Sequence, residues 1–166
     1  MDVNFISVFV AALIPLAVGF VWYNPKVFGN AWMQASGMTE EKAKGANHAL
    51  IFGLTYVFAV LAGMALMPIV IHQMGIFSVL ADDPGMKDPN SEVSIMFNGF
   101  MQKYGDNFRT FKHGAFHGTL LGIFMVLPII AINAMFERKS WKYIWINVGY
   151  FTVSFALMGG VICAWK

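Results

Sequence analysis

The sequence predicts an all-α integral membrane protein: four transmembrane helices in two antiparallel hairpins, with an amphipathic surface helix between spans two and three. Three observations predict it. Four long runs carry no Asp, Glu, Lys or Arg, namely Val3 to Pro25, Gly45 to Ala81, His113 to Phe136 and Tyr143 to Trp165. Charged residues make up 12% of the chain and hydrophobic ones 58%, where a soluble domain averages about 25% charged. A chain of 166 residues lacks the interior volume to hide so much apolar surface from water. Lipid is therefore the expected solvent, and the bilayer the first partner.

Span one is placed at 3–23. No basic residue precedes it, Asp2 does, and no small-x-small cleavage pattern follows, so it reads as a retained anchor rather than a secretory signal. Pro15 inside it is tolerable where neighbouring helices satisfy the freed carbonyl. The span ends at Trp22, Tyr23, Asn24 and Pro25. Amphipathic rings collect at the headgroup level, so Trp22 and Tyr23 are expected to be interface anchors. In the segment that follows, Phe28 and Trp32 lie one helical turn apart, which suits a surface segment with both rings dipped inward. Thr39 before Glu40 and Glu41 looks like a capped helix start, with acidic residues at its positive end.

The second run exceeds one span but is too short for two. Span two is placed at 48–71, with Ala59, Gly63 and Met67 as a partly small face and Pro68 as a bend near its far end. The remainder, 75–81, is assigned to the interface, and 75–112 as a whole to a polar and amphipathic insert. Within that insert Val93, Met96, Phe97, Phe100, Met101, Tyr104, Phe108 and Phe111 recur at spacings of three and four. That period predicts one apolar helix face. Asn90 or Ser91 is positioned to cap the helix, while Gly99 and Gly105 weaken it.

Span three, 113–136, places Gly114, Gly118 and Gly122 on one ridge, because residues four apart stack on the same face. A ridge of that kind admits another backbone at close range. The turn after it is so short that span four, 143–165, must be its antiparallel neighbour. Span four has a second small face at Gly149, Ala156 and Gly160, with Tyr143, Trp145 and Trp165 as expected interface anchors. Asn133 and Asn147 flank the turn, and each is expected to bond between helices, worth about 1 kcal/mol. Loops one and three hold Lys26, Lys42, Lys44, Arg138, Lys139 and Lys142 in short stretches. Positive residues in short loops stay in the cytoplasm, so both termini are expected outside.

The stretch VGFVWYNPKVFGNAWMQASG at 18–37 resembles the opening motif of a bacterial membrane-protein family catalogued as domain of unknown function 1761. There an aromatic pair, a polar residue and Pro precede Phe-Gly and a Trp. The stretch from His117 to Trp165 resembles the same family's second half, while the polar segment 75–110 is longer than the family pattern. The resemblance implies a small polytopic protein of the bacterial inner membrane, and it supplies no activity.

For chemistry the histidines stand out. His113 and His117 are four apart, which puts both rings on one helix face, and His72 at the end of span two reaches the same membrane side. With Asp82, Asp83 or Asp106 nearby, such a set suffices for zinc, copper or iron, or for haem. His48 lies at the opposite side and cannot join. The bland alternative is helix-end histidines that are solvated or bonded to carbonyls. No ionisable residue lies deep in any span, which argues against proton-coupled transport and a carboxylate hydrolase. The sequence has no phosphate-cradling glycine loop, no Gly-x-Ser-x-Gly and no Cys-x-x-Cys. The one cysteine, Cys163, excludes a disulfide within the chain. Scattered basic residues exclude a nucleic-acid partner. Twelve methionines and sixteen phenylalanines are dispersed as packing residues are. The leading expectation is a non-enzymatic accessory subunit or homo-oligomer that packs through its small-residue faces. The alternative is a histidine-ligated metal or haem enzyme or electron carrier, with its site at the outer end of spans two and three.

Overall fold

The computed structural model describes residues 3–166, so Asp2 ahead of the first run lies outside the described residues. Among these, every regular element is helical. The first apolar run divides into α1 (Ile6–Ala11) and α2 (Ile14–Trp22). Pro15 has no amide hydrogen, so the carbonyl of Ala11 cannot receive its usual bond and the ladder is interrupted there. Next come α3 (Gly29–Ser36) and α4 (Glu40–Lys44), the latter capped by Thr39, whose Oγ1 accepts from the Lys42 amide at 3.3 Å. Asn47 caps α5 (His48–Val70) in the same way. Three residues past Pro68 the chain leaves that helix at Ile71 (ψ 87°) and restarts as α6 (Gln73–Leu80).

After a 3-10 turn at Pro84–Lys87, Ser91 caps α7 (Glu92–Tyr104). This helix ends seven residues earlier than the apolar period suggests. Gly105 closes it, Phe108 turns into the left-handed region (φ 63°), and Phe111 belongs to the next element. That element is one continuous helix, Phe111–Phe136. It comprises α8 (Phe111–Leu121), a π segment at Gly122–Val126 and α9 (Leu127–Phe136). In the π segment the Leu127 amide reaches back five residues to the Gly122 carbonyl, just ahead of Pro128. Glu137 to Lys139 then form a tight reversal with Arg138 left-handed (φ 55°). The amides of Arg138 and Lys139 return to the carbonyls of Met135 and Ala134. Last comes α10 (Trp141–Ala164).

Three helices, α5, Phe111–Phe136 and α10, are long and apolar enough to cross a membrane, and Ile6–Trp22 is a shorter apolar one. Their outer surfaces carry large apolar side chains, such as Phe124 at 75% and Phe136 at 86% exposure. Water would not tolerate so continuous an apolar exterior on a monomer. Lipid would.

The centre of the bundle is α10, which packs against α1, α2, α3, α5, α8, the π segment and α9. One core joins Val8, Leu66, Met67 and Val70 to Met158 and Ile162, and a smaller one joins Ala134 to Ile144 and Val148. The glycine ridge is what lets α8 approach. A Cβ at Gly114 would strike the Gly159 carbonyl, one at Gly118 the Phe155 carbonyl, and one at Gly122 the Thr152 side chain. On α10, Ala156 faces the Gly118 crossing, Gly149 admits the Trp22 ring, and Gly160 admits the Phe111 ring. The small residues are therefore covered from within the chain.

At the end of the bundle away from His72, His113 and His117, the polar edges of Trp22, Tyr23 and Trp32 turn onto α10. Trp22 Nε1 donates to the Ile146 carbonyl (3.0 Å), while Tyr23 Oη (3.2 Å) and Trp32 Nε1 (3.3 Å) both donate to Asn147 Oδ1. Each ring has a donor that needs an acceptor, and α10 offers one at close range. Trp145 and Trp165 remain exposed and Tyr143 is half-buried. Asn133 is exposed on α9 and takes no part in this knot. The two asparagines should thus respond differently. Asn147→Leu strands two donors and is expected to cost about 1–2 kcal/mol. Asn133→Leu should fall within about 0.5 kcal/mol of the parent. Thermal unfolding in one detergent measures both; equal midpoints would remove the role given to Asn147.

Candidate metal centre

His113 and His117 stand one turn apart at the start of α8. Thr110 fixes that start, its Oγ1 accepting from the His113 amide at 3.2 Å. Gly114 and Gly118 interleave with the two histidines and lock the helix against α10, so its depth and rotation are set by backbone contact. His72 occupies the corner between α5 and α6. Its neighbours Ile71 and Gln73 are both buried. Gln73 Nε2 donates to the carbonyls of Asn107 (2.8 Å) and Tyr104 (3.3 Å), which ties the corner to the loop ahead of α8. Flanked by two anchored residues, His72 itself is turned outward, against α8.

The three rings meet. Ring centroids are 4.9 Å apart for His72 and His113, 4.9 Å for His72 and His117, and 4.5 Å for His113 and His117. One nitrogen from each ring lies within 4.8 Å of the others. The Nε2 atoms of His72 and His113 are 3.4 Å apart. That is long for a hydrogen bond, which centres near 2.9–3.0 Å for N–H donors. It matches the edge of a tetrahedron with metal–nitrogen bonds of about 2.0–2.1 Å, roughly 3.3–3.4 Å. His48 is at the far end of α5, where its ring meets Phe52.

No carboxylate joins this set among the described residues. Asp83 caps the 3-10 turn through the Gly85 amide (2.8 Å), and Asp82 is exposed. Asp106 faces Lys166 at 2.9 Å, and that hydrogen bond, aided by the lysine's charge, holds its carboxyl below the ordinary range.

Two residues of the site were not singled out from the sequence. Arg109 is buried, and its Nε and Nη2 donate to the carbonyls of Cys163 and Trp165, each at 2.8 Å. A guanidinium at the carbonyl end of α10 satisfies groups the helix leaves open and complements its dipole. Beside it, Phe108 sets its ring 5.0 Å from His113 and 6.3 Å from His72. The available signal was Arg109 within the run Phe-Arg-Thr-Phe at 108–111, a charge set among apolar rings. A family model described as a protein of unknown function (DUF1761) matches residues 6–163. No curated protein and no solved structure matches the chain.

Proposed function

The chain belongs to the DUF1761 family of proteins of unknown function, and from that premise we propose that it is a membrane metalloprotein. In this reading His72, His113 and His117 bind one divalent first-row transition metal ion. The observation that carries it is the 3.4 Å separation of two imidazole nitrogens on elements held by buried neighbours and backbone contact. Three imidazoles leave a coordination position open, as catalytic rather than structural zinc sites do. Imidazole equally suits copper, iron and nickel. The test is direct. Untagged protein, stripped with a chelator and titrated with cobalt(II) in detergent, is expected to bind one ion per chain with visible absorption of tetrahedral type. Failure of the parent protein to retain any ion at micromolar concentration would remove the proposal.

We further infer a four-span protein of the bacterial inner membrane. Ile6–Trp22, at about 1.5 Å per residue, covers some 25 Å, and its packing on α5 and α10 supports counting it as a span. The short loops holding Lys26, Lys42, Lys44, Arg138, Lys139 and Lys142 support a cytoplasmic position for the aromatic end. Both termini and the histidines then stand outside. A cysteine introduced as Ser140→Cys is expected to escape an impermeant maleimide in intact cells and to react after permeabilisation. The native Cys163 is buried and should not interfere. Labelling in intact cells would invert the orientation.

A further inference from the structure

We propose that the metal centre accepts a small uncharged molecule with one lone-pair donor, its apolar body lodged in the cavity beside His72. The proposal rests on the three-histidine reading and extends it to the class of ligand. A cavity of about 330 Å³ is lined by His72, Gln73, Ile76, Phe100, Tyr104, Asn107 and Phe108. His72 is thus common to the cavity and the ligand set, and in this proposal the ion's open position turns toward that cavity. Among the described residues, no Asp, Glu, Lys or Arg lines the space. The Gln73 amide nitrogen is already engaged with two carbonyls. Apart from Asn107, what remains for a guest is mostly aromatic and aliphatic surface, which suits an uncharged body. At about 30 Å³ for each water-sized unit, the space holds roughly ten non-hydrogen atoms.

Phe108 strengthens the assignment. A phenylalanine at φ 63° is strained, and such residues persist only where the surroundings over-determine them. Here the next residue, Arg109, is fastened to two carbonyls at the end of α10, and Cys163 Sγ donates to the Phe108 carbonyl at 3.3 Å. The result of that constraint is a ring, 64% exposed, held against His72 and His113 while forming one cavity wall. Phe108 is the surface along which a coordinated guest would lie.

The experiment compares imidazole with phenylimidazole as titrants of the cobalt-loaded full chain, followed by the cobalt absorption bands. Phenylimidazole is expected to bind about tenfold tighter or more, the discrimination typical of an apolar pocket. Ile76→Trp fills the cavity without replacing a histidine and should bring the two affinities within about twofold. All affinities are referred to free probe concentrations measured by dialysis against the same detergent, which removes the difference in micelle partition between the two probes. Phe100→Ala is the second arm and covers the case in which the tryptophan variant loses its cobalt bands. It should weaken phenylimidazole about tenfold and leave imidazole unchanged. Equal affinities in the parent, a preference that survives Ile76→Trp, or no selective loss in Phe100→Ala would overturn the cavity proposal while leaving the ion site standing. Absence of cobalt bands in the parent would instead overturn the metal reading, and this one with it.

Discussion

Gly118→Val should abolish the packing of the bundle. A Cβ at Gly118 meets the Phe155 carbonyl and the Ala156 amide nitrogen of α10, which are backbone atoms that cannot rotate aside as a side chain would. One turn earlier Gly114 opposes Gly159, and a Cβ added to either glycine runs into the other's carbonyl. Helices in lipid gain little from the hydrophobic effect when they associate, so close packing carries more of their affinity. Forcing the backbones apart loses contacts along the whole crossing. The expected cost is more than about 3 kcal/mol, beyond the usual range for an overpacked core side chain. A position without such a neighbour is the control. Gly53, on the exposed part of α5, has nothing within 4 Å of its Cβ position. Gly53→Ala should therefore stay within about 1 kcal/mol of the parent. Size-exclusion profiles and thermal midpoints in one detergent separate the two. A Gly118→Val protein as stable as Gly53→Ala would mean that α8 and α10 do not cross as described.

This crossing also bears on how far the fold can be read from the residues. Four-residue spacing alone announces that Gly114, Gly118 and Gly122 form a ridge, since helical period is a local property. Which surface fills the ridge is not local. The residues point to packing among the four helices and against a partner; α10 of the same chain covers the ridge, so the feature that suggested an accessory subunit is already used within the bundle. Trp22, Tyr23 and Trp32 illustrate the same limit. A ring with one polar edge announces that it needs an acceptor, but that the acceptors are the Ile146 carbonyl and Asn147 on α10 depends on tertiary placement. The amphipathic period through Phe108 and Phe111 misled for another reason. An apolar residue recurs wherever a side chain needs cover, whether on a helix face, over a cavity or against Gly160. The juxtaposition of His72 with His113 and His117 was easier to anticipate. It needs only that the end of one long helix and the start of another share a membrane side. The contribution of Arg109 needed the third dimension, because its acceptors are carbonyls more than fifty residues away.

His117→Ala is expected to lower the affinity for cobalt(II) more than about 100-fold. Loss of a mere supporting hydrogen bond around a metal already costs about 10–100-fold, and here one of three protein ligands is removed. The substitution should leave the fold in place, because His117 is half-buried and the turn that carries it is held by Gly114, Gly118 and the Thr110 cap. Stability and affinity are therefore separable, which Gly118→Val cannot offer, since it disturbs both. His48→Ala is the matched control, a histidine at the other end of α5 whose ring meets only Phe52 among the ring contacts described. It should bind cobalt as the parent does. If His117→Ala bound as tightly as His48→Ala, the ion would have to sit elsewhere, and the 3.4 Å approach of His72 to His113 would reduce to a long contact between two imidazoles at a helix end. If both variants bound weakly, the site would not be the one at the start of α8, because no rearrangement short of unfolding brings the two ends of α5 together.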